Sequence, residues 1–331
     1  MNAQTIAKTD TDNELAAGMD LYGAFAAGLD ASEKTRATYT RALRSWAAWL
    51  AENELEPLQV VRAHVLEYKR DMMEGGKSAA TVNLYLAAVR AFYRWTEAER
   101  IYPNVAAGIK GAKTAKTSSK DALTVEQARR LVSAAGDSLE ELRDAAMLNL
   151  MVRRGLRTIE VARANVGDIR QVACKAVLFV QGKGRDDKGE FVVLGEEVLA
   201  PIYRYLEARG KVADDAPLFA GVGNRNRGGR MTTRNISRIA KQHMAAAGFG
   251  GARLTAHSLR HTAVTFALMG GASVQEAQAM ARHSNIATTM VYAHNLQRAN
   301  AAAERAVDAF LDAAGVQDRR NAGRTTAYCM A

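Results

Sequence analysis

Reactive side chains are concentrated late in the sequence. The segment His-Ser-Leu-Arg-His-Thr occupies residues 257–262, and it is followed by His283 and, nine positions later, by Tyr292. Arginine binds the nonbridging oxygens of a phosphate, histidine moves protons near neutral pH, and a tyrosine hydroxyl can act as a nucleophile. This combination of residue types predicts a site that breaks a phosphodiester.

Helical spacing should bring the first of these groups together. We predict a helix over residues 255–269, in which His257 and Arg260 are three residues apart and share one face near the helix start. A helix N-terminus presents unpaired N–H groups and a partial positive charge, so it favours a bound anion. The sequence therefore predicts a phosphate site at the beginning of this helix.

His283 and Tyr292 should follow on two further helices. Ser273 and Glu276 have the spacing of a capping box, which predicts a helix from there to about residue 282, with His283 at its end. Tyr292 is then expected on a third short helix.

A second arginine lies upstream, in the sequence Gly-Leu-Arg-Thr-Ile-Glu at residues 155–160. Gly155 follows an apolar helix predicted over residues 145–152, so Arg157 should lie in a turn between two helices. Arg157 and Glu160 also have the spacing of an ordinary surface ion pair, an alternative that their positions alone leave open.

A basic turn connects two predicted strands. Residues 177–181 and 191–194 have the composition of strands, and the segment between them is rich in glycine and charged residues. Lys183 lies on this turn and is a candidate proton donor. Arg185 and Lys188 share the loop, so the choice among these basic side chains stays open.

The ordered set resembles the catalytic motifs of the tyrosine recombinases, also called phage-integrase-type recombinases. The motifs are Gly-Leu-Arg-x-x-Glu, a hairpin lysine, His-x-Leu-Arg-His-Thr, a later histidine and a tyrosine nine positions on, within roughly residues 123–314. Several ordered motifs at compatible spacing are more specific than any single one. Within the family, the pattern is similar to Xer and integron-integrase-like enzymes.

The resemblance implies a site-specific DNA recombinase, with the catalytic set Arg157, Lys183, His257, Arg260, His283 and Tyr292 and with Glu160 in support. Tyr292 would form a 3′-phosphotyrosine link that stores the energy of the cleaved bond. Rejoining would then need no metal, no ATP and no other cofactor.

The chemistry explains why these residue types are needed. A tyrosine hydroxyl has an ordinary pKa near ~10, so a base, for which His257 is the candidate, must take its proton. Paired arginines hold the nonbridging oxygens more strongly as charge builds in the transition state. The departing 5′ oxygen needs a proton, which Lys183 would supply.

Two other kinds of site are disfavoured. His257 and His261 are four residues apart, as in zinc-binding helices, but Ser258 stands where the glutamate of that motif should be. We therefore expect no metal site and interpret His261 as structural. Gly182-Lys183-Gly184 lacks the pattern of a phosphate-cradling nucleotide loop. Tyr328, in a polar tail, is a weak rival nucleophile.

Composition fits a DNA partner. The 331 residues include 45 Lys and Arg against 35 Asp and Glu, a net charge of +10, which suits a polyanion. Two cysteines argue against a disulfide framework. Because the sequence shows neither a signal-peptide pattern nor an apolar run of membrane-spanning length, we expect a cytoplasmic, nucleoid-associated protein without membrane contact.

The predicted fold is mainly α with a small β-sheet, and it has two domains. Residues 15–108 should form an N-terminal helical bundle and residues 122–314 a mixed α/β domain. The resemblance implies that the first is a core-binding domain and the second a catalytic domain of tyrosine-recombinase type. Residues 109–121 would be a basic linker. We expect residues 1–14 and 315–331 to be flexible and see no room for the arm-binding domain of lambda-type integrases.

Four segments of the first domain have helical apolar spacing, namely residues 15–29, 32–52, 60–75 and 79–99. Candidate DNA contacts in the bundle are Arg41, Arg44 and Arg90. Those in the linker are Lys110, Lys113, Lys116 and Lys120. The linker is either a solvated spacer or a strap that crosses a phosphate backbone, and the lack of acidic residues favours the strap.

A last helix should carry an apolar stripe. Residues 301–314 place Val307, Phe310, Leu311 and Ala314 on one face. This face packs on its own domain or, as the resemblance implies, on a neighbouring subunit of a homo-tetramer on DNA. The implied DNA partner is a double-stranded recombination site with inverted repeats, and accessory DNA-bending proteins are further candidate partners.

Two positions depart from the family pattern. Arg154 precedes Gly-Leu-Arg where a small residue or threonine is usual, and Ala281-Arg282-His283 replaces the common Leu-Gly-His. Neither change removes a catalytic group. The alternatives to a recombinase are a type IB topoisomerase and a non-catalytic DNA-binding architectural protein.

Overall fold

The structure is a computed structural model that describes residues 21–113, 121–133, 136–182, 184–185, 187–299 and 303–312. It divides into two compact units, Met1–Lys116 and Thr117–Ala331. The predicted flexible segments 1–14 and 315–331 lie outside the described residues, as do Lys116, Lys120, Lys183, Ala314 and Tyr328. The domain boundaries drawn from the sequence stay predictions.

The first unit consists of helices, as its apolar spacing predicted. They are α1 (residues 21–28), α2 (Glu33–Glu52), α3 (Arg62–Glu74) and α4 (Ala79–Ala98). Ser32 and Ser78 begin α2 and α4, because each hydroxyl accepts a hydrogen bond from the backbone N–H three residues later. Aromatic side chains fill the core, where the Trp46 and Trp49 rings stack with their centres 5.3 Å apart.

The predicted DNA contacts of this unit differ in exposure. Arg41 and Arg44 are exposed. Arg90 is half-buried, and its Nε and Nη2 atoms are buried without a hydrogen-bond partner among the described residues. A role in DNA binding stays a prediction for all three.

The beginning of the predicted linker packs on the first unit. Ile109 and Ala112 are buried in its core. The Asn83 side chain accepts a hydrogen bond from the Ala112 N–H (2.7 Å) and donates one to the Ala112 carbonyl (3.0 Å). Lys110 and Lys113 are exposed, so both side chains are accessible to a phosphate backbone.

The second unit combines further helices with a small sheet. Its helices before the sheet are α5 (Val125–Ser133), α6 (Leu139–Arg154) and α7 (Thr158–Arg163), and its strands are β1 (Ile169–Val172), β2 (Lys175–Val180) and β3 (Glu190–Val193). The later helices are α8 (Glu196–Arg209), α9 (Thr233–Ala246), α10 (Ala256–Met269), α11 (Val274–Ala281), α12 (Ile286–Ala299) and α13 (residues 303–312). In the described part of the chain, no helix has both the length and the apolar character for crossing a bilayer.

The sheet is antiparallel, in the order β1-β2-β3. The predicted pair of strands is confirmed as β2 and β3, with Leu178 opposite Val192. The sequence analysis missed β1, which is short and faces solvent at its two central residues. Ala173 and Cys174 connect β1 to β2 with φ values of 49° and 61°, a geometry usually supplied by asparagine and glycine.

Gly155 shapes the route from α6 to the candidate site. It ends α6 with a φ of 63°, a left-handed conformation that favours glycine. A Cβ atom there would lie 3.2 Å from the Ala263 Cβ of α10. The absence of a side chain therefore lets α6 and α10 approach closely.

Two helices are longer than the sequence analysis predicted. The helix placed at residues 145–152 runs over Leu139–Arg154, because Ser138 and Glu141 form a capping box at its start. The helix that carries Tyr292 spans fourteen residues, Ile286–Ala299, and is not short. The predictions for α10 and α11 are confirmed within one or two residues.

Candidate active site

Arg157 is the residue immediately before α7, and Glu160 holds it in place. One oxygen of the Glu160 carboxylate accepts a hydrogen bond from the Arg157 backbone N–H (2.8 Å), and the other accepts one from the guanidinium (2.8 Å). Glu160 is 0 % exposed, so this is not the surface ion pair that the spacing allowed. The Glu160 carboxylate therefore fixes both the backbone and the guanidinium of Arg157.

Arg260 comes from the second turn of α10, as predicted, and is buried. Its guanidinium donates hydrogen bonds to the carbonyl of Gly155 (2.7 Å) and to the carbonyl of Ala281. Burial, followed by repulsion from Arg157, lowers the pKa of Arg260 to about 9. The group therefore keeps its positive charge at neutral pH.

Arg282 joins these two arginines from the end of α11. It has a φ of 54°, and its carbonyl accepts a hydrogen bond from the Arg157 guanidinium (3.0 Å). Its own guanidinium donates to the Glu160 carboxylate (2.7 Å). Burial alone would raise the pKa of Glu160, but the charge and hydrogen bond of Arg282, together with Arg157, hold this pKa below its ordinary value.

Tyr292 lies among histidine rings. Its ring centre is 4.9 Å from that of His261 and 6.3 Å from that of His283, and His283 is nearly parallel to it. His257 also contacts His261, with ring centres 5.0 Å apart. A nitrogen of His283 is also hydrogen-bonded to the Thr289 hydroxyl (2.8 Å).

Burial shifts the pKa values of this cluster away from their ordinary values. Burial, with nearby positive groups, lowers the pKa of His261 to about 4 and that of His283 to about 4. Burial raises the pKa of Tyr292, and the charge of Arg260 offsets this only in part. At neutral pH the phenol is therefore protonated and these two imidazoles are neutral acceptors.

Family models match both parts of the chain. Residues 121–298 match the phage integrase family, and residues 28–100 match the N-terminal SAM-like domain of phage integrases. The chain belongs to the phage integrase family. It is a tyrosine recombinase, in agreement with the resemblance found in the sequence.

Individual proteins agree with this assignment. The tyrosine recombinase XerC of Corynebacterium efficiens is 34% identical over 226 residues, which cover 67% of this chain and 69% of that protein. In fold, the chain is similar to the XerH site-specific recombinase in a post-cleavage complex with a palindromic difH substrate (TM-score 0.68, 19% identity, 81% and 80% of the two chains). It is also similar to lambda integrase in a tetramer bound to a Holliday junction (TM-score 0.66, 18% identity, 84% and 76%).

The β2–β3 hairpin of this recombinase lies beside the arginine cluster. A cavity of about 740 Å³ is lined by Arg157, Arg282 and His283 on one side and by Gly182 and Phe191 on the other. The predicted general acid, Lys183, directly follows Gly182 in the sequence and lies outside the described residues.

The two other basic side chains of the hairpin, Arg185 and Lys188, form ion pairs. Lys188 forms an ion pair with Asp168 (2.5 Å), whose carboxylate is buried. Arg185 forms an exposed ion pair with Glu190 (3.3 Å) and also lines the cavity. The contact with the buried carboxylate weighs against Lys188 as the proton donor, whereas Arg185 stays a candidate beside Lys183.

Two residues of the site received little weight in the sequence analysis. Arg282 was noted only as a departure from the family pattern, although a long charged residue at a glycine position was a signal that its side chain has a partner. His261 was interpreted as structural, and the structure places its ring beside that of Tyr292, on the helix face that also carries His257.

Proposed function

We propose that this recombinase cleaves and rejoins DNA at specific sites, with Tyr292 as the nucleophile. The observation that carries the proposal is the convergence of three helices, α7, α10 and α12, on one site. They bring Arg157 and Arg260, both facing the end of α11, together with a phenol surrounded by neutral imidazoles. This is the set of groups that attack on a phosphodiester requires.

The first step transfers the phenol proton and forms the bond to phosphorus. We assign proton removal to the His257–His261 pair, because His261 contacts the Tyr292 ring and His257 contacts His261. The phenolate oxygen then bonds to phosphorus as the bond to the 5′ oxygen breaks. Arg157 and Arg260 stabilise the negative charge that grows on the nonbridging oxygens.

The leaving group needs a proton at the same time. Lys183 is the proposed donor to the 5′ oxygen, supported by its position on the hairpin and by the ion pair that holds Lys188 on Asp168. The product is a 3′-phosphotyrosine and a free 5′ hydroxyl. Attack by a 5′ hydroxyl of another strand reverses the chemistry, so no triphosphate is consumed.

The proposed partner is double-stranded DNA that carries inverted repeats, as in the palindromic substrate of the XerH complex. Exposed Arg41, Arg44, Lys110 and Lys113 are the described candidates for contacts to phosphate. Such a partner implies action in the cytoplasm, on nucleoid DNA. Accessory DNA-bending proteins belong to the proposal only as further candidates.

The proposed assembly is a homo-tetramer, as in the lambda integrase complex with a Holliday junction. Phe310 on α13 is 74 % exposed, and Val307 and Leu311 beside it are also exposed. An apolar stripe of this kind suits burial against a second copy of the chain.

Covalent trapping tests the proposal. A duplex nicked near the cleavage site loses a short fragment after cleavage, so the enzyme remains attached to the DNA. We expect the wild-type protein and the control Tyr203→Phe, at an exposed tyrosine on α8, to form this adduct. Tyr292→Phe should bind the duplex and form none; an adduct at the wild-type level in that variant would refute the assignment.

A further inference from the structure

The last residue of the α11 turn has an unusual backbone for its type. Arg282 adopts φ 54° and ψ 48°, the left-handed region that glycine occupies most easily. The common family sequence has glycine at this point, so the backbone conformation alone does not call for arginine. The reason for an arginine should therefore lie in its side chain.

The carbonyls at this turn hold both phosphate-binding arginines. The Ala281 carbonyl accepts a hydrogen bond from Arg260, and the next carbonyl, that of Arg282, accepts one from Arg157 (3.0 Å). A left-handed residue between two peptide planes sets the directions of these carbonyls. A change in the turn would thus move both guanidiniums.

The Arg282 side chain reaches the same arginines by a second route. It is 3 % exposed, and its guanidinium donates to the Glu160 carboxylate (2.7 Å) and to the Met280 carbonyl (2.6 Å). Glu160 in turn accepts hydrogen bonds from the side chain and the backbone N–H of Arg157. Arg282, Glu160 and Arg157 therefore form one continuous chain of charged hydrogen bonds.

We propose that Arg282 is a positioning residue for the cleavage reaction, which fixes the buried carboxylate of Glu160 so that Arg157 meets the phosphate in the correct orientation. The proposal rests on the function proposed above. It assigns to Arg282 no contact with the reacting atoms, because all three guanidinium nitrogens, Nε included, are directed to Glu160 or Met280.

Glu160 gives this role a pH signature. Burial raises the pKa of this carboxyl group, and the charge of Arg282 is the largest of the effects that lower it. Without Arg282 the pKa of Glu160 rises. The carboxylate then takes up a proton at a higher pH and loses an acceptor for Arg157. The acidic limb of the cleavage profile should therefore move to higher pH.

A cycle of four proteins tests the proposal, namely wild type, Arg282→Gly, Glu160→Gln and the double variant, with Arg282→Lys as a fifth protein for rescue. Glycine adopts the same left-handed backbone, so any loss of cleavage rate in Arg282→Gly measures the contribution of the side chain. We expect its single-turnover cleavage to be about tenfold to hundredfold slower, as for a small misplacement of a catalytic group, with DNA affinity unchanged. Its acidic limb should lie at higher pH, and Arg282→Lys should recover part of the rate.

The double variant separates positioning from a merely structural contribution. If Arg282 acts through Glu160, the double variant cleaves no more slowly than Glu160→Gln alone. A wild-type rate and pH profile in Arg282→Gly, or losses that multiply in the double variant, would overturn the inference. Thermal unfolding of the four proteins of the cycle without DNA measures separately how the two substitutions are coupled in stability. If they are coupled in stability but not in the cleavage rate, the ion pair between Arg282 and Glu160 is structural only.

The outcome is distinguishable from failure of the proposed function. An adduct that depends on Tyr292 but not on Arg282 rejects the positioning role alone. An adduct that forms without Tyr292 rejects the proposed function, whatever Arg282 does.

Discussion

The phenol ring of Tyr292 lies against the imidazole of His261, with ring centres 4.9 Å apart. Burial raises the pKa of Tyr292, and burial together with His257 and Arg260 lowers the pKa of His261 to about 4. A protonated phenol thus lies against a neutral imidazole at pH 7.

The first prediction concerns this contact. His261→Asn should slow single-turnover cleavage by about a hundredfold, because a positioned general base contributes roughly that factor or more. The rate is measured on the nicked duplex, and DNA binding is measured in parallel. His294→Asn, at an exposed position on the same helix as Tyr292, is the matched control and should cleave normally. Normal cleavage by His261→Asn with loss in His257→Asn would make His257 the sole base.

The second prediction concerns stability and pH. The pKa of His261 is about 4 in the folded protein and ordinarily 6.5, so as pH falls through this window the unfolded chain takes up a proton that the folded protein does not. The stability contributed by the neutral imidazole is present above pH 6.5 and is lost towards pH 4. The difference in melting temperature between wild type and His261→Asn should therefore shrink as the pH falls.

His283 provides a second case, since its pKa is also about 4 for the same primary reason, burial. The difference in melting temperature between wild type and His283→Asn should likewise shrink as the pH falls. A difference that widens towards low pH would mean that these imidazoles are readily protonated in the folded protein.

Local sequence signals predicted the elements that position the site. Apolar spacing marked the helices, and serine with glutamate three residues later marked the start of α11. The strand β1 was not predicted because it is four residues long and its turn, Ala173-Cys174, contains none of the usual turn residues. Gly155 was predicted to end its helix, and it does.

The contacts within the site could not be predicted in the same way. Glu160 and Arg282 are 122 positions apart, and their ion pair depends on how α7 and α11 pack. The ring contact between His261 and Tyr292 likewise depends on the packing of α10 against α12. Spacing along one helix reveals shared faces, but it does not reveal which other helix meets that face.

The third prediction tests the close approach at Gly155. Gly155→Ala places a Cβ 3.2 Å from that of Ala263 in a left-handed backbone, so we expect a loss of about 2–3 kcal/mol in the free energy of unfolding. Gly248→Ala is the matched control, since its φ is also positive (85°) and nothing lies within 4 Å of the added atom. It should lose only about 1–2 kcal/mol, by denaturant unfolding.

The Gly155 carbonyl also accepts a hydrogen bond from Arg260, so a backbone displacement at this residue should slow cleavage as well. Adding Ala263→Gly to the Gly155→Ala protein removes the Cβ that the new side chain would contact. It should recover part of the lost stability and part of the lost cleavage rate. If Gly155→Ala and Gly248→Ala lose equal amounts of unfolding free energy, the close approach of Gly155 to α10 adds nothing to the cost of the substitution.

The fourth prediction tests the proposed partner of α13. Phe310 is the most exposed of its apolar side chains, so Phe310→Ser removes little contact within one copy and should leave the melting temperature unchanged within about 1 °C. Assembly of the tetramer on two DNA sites, measured by sedimentation, should be lost because the stripe no longer buries a large ring. Tyr203→Ser, which also removes an exposed ring, is the control that should assemble. A drop of several degrees in the melting temperature of Phe310→Ser, with assembly intact, would instead mean that α13 packs on its own unit.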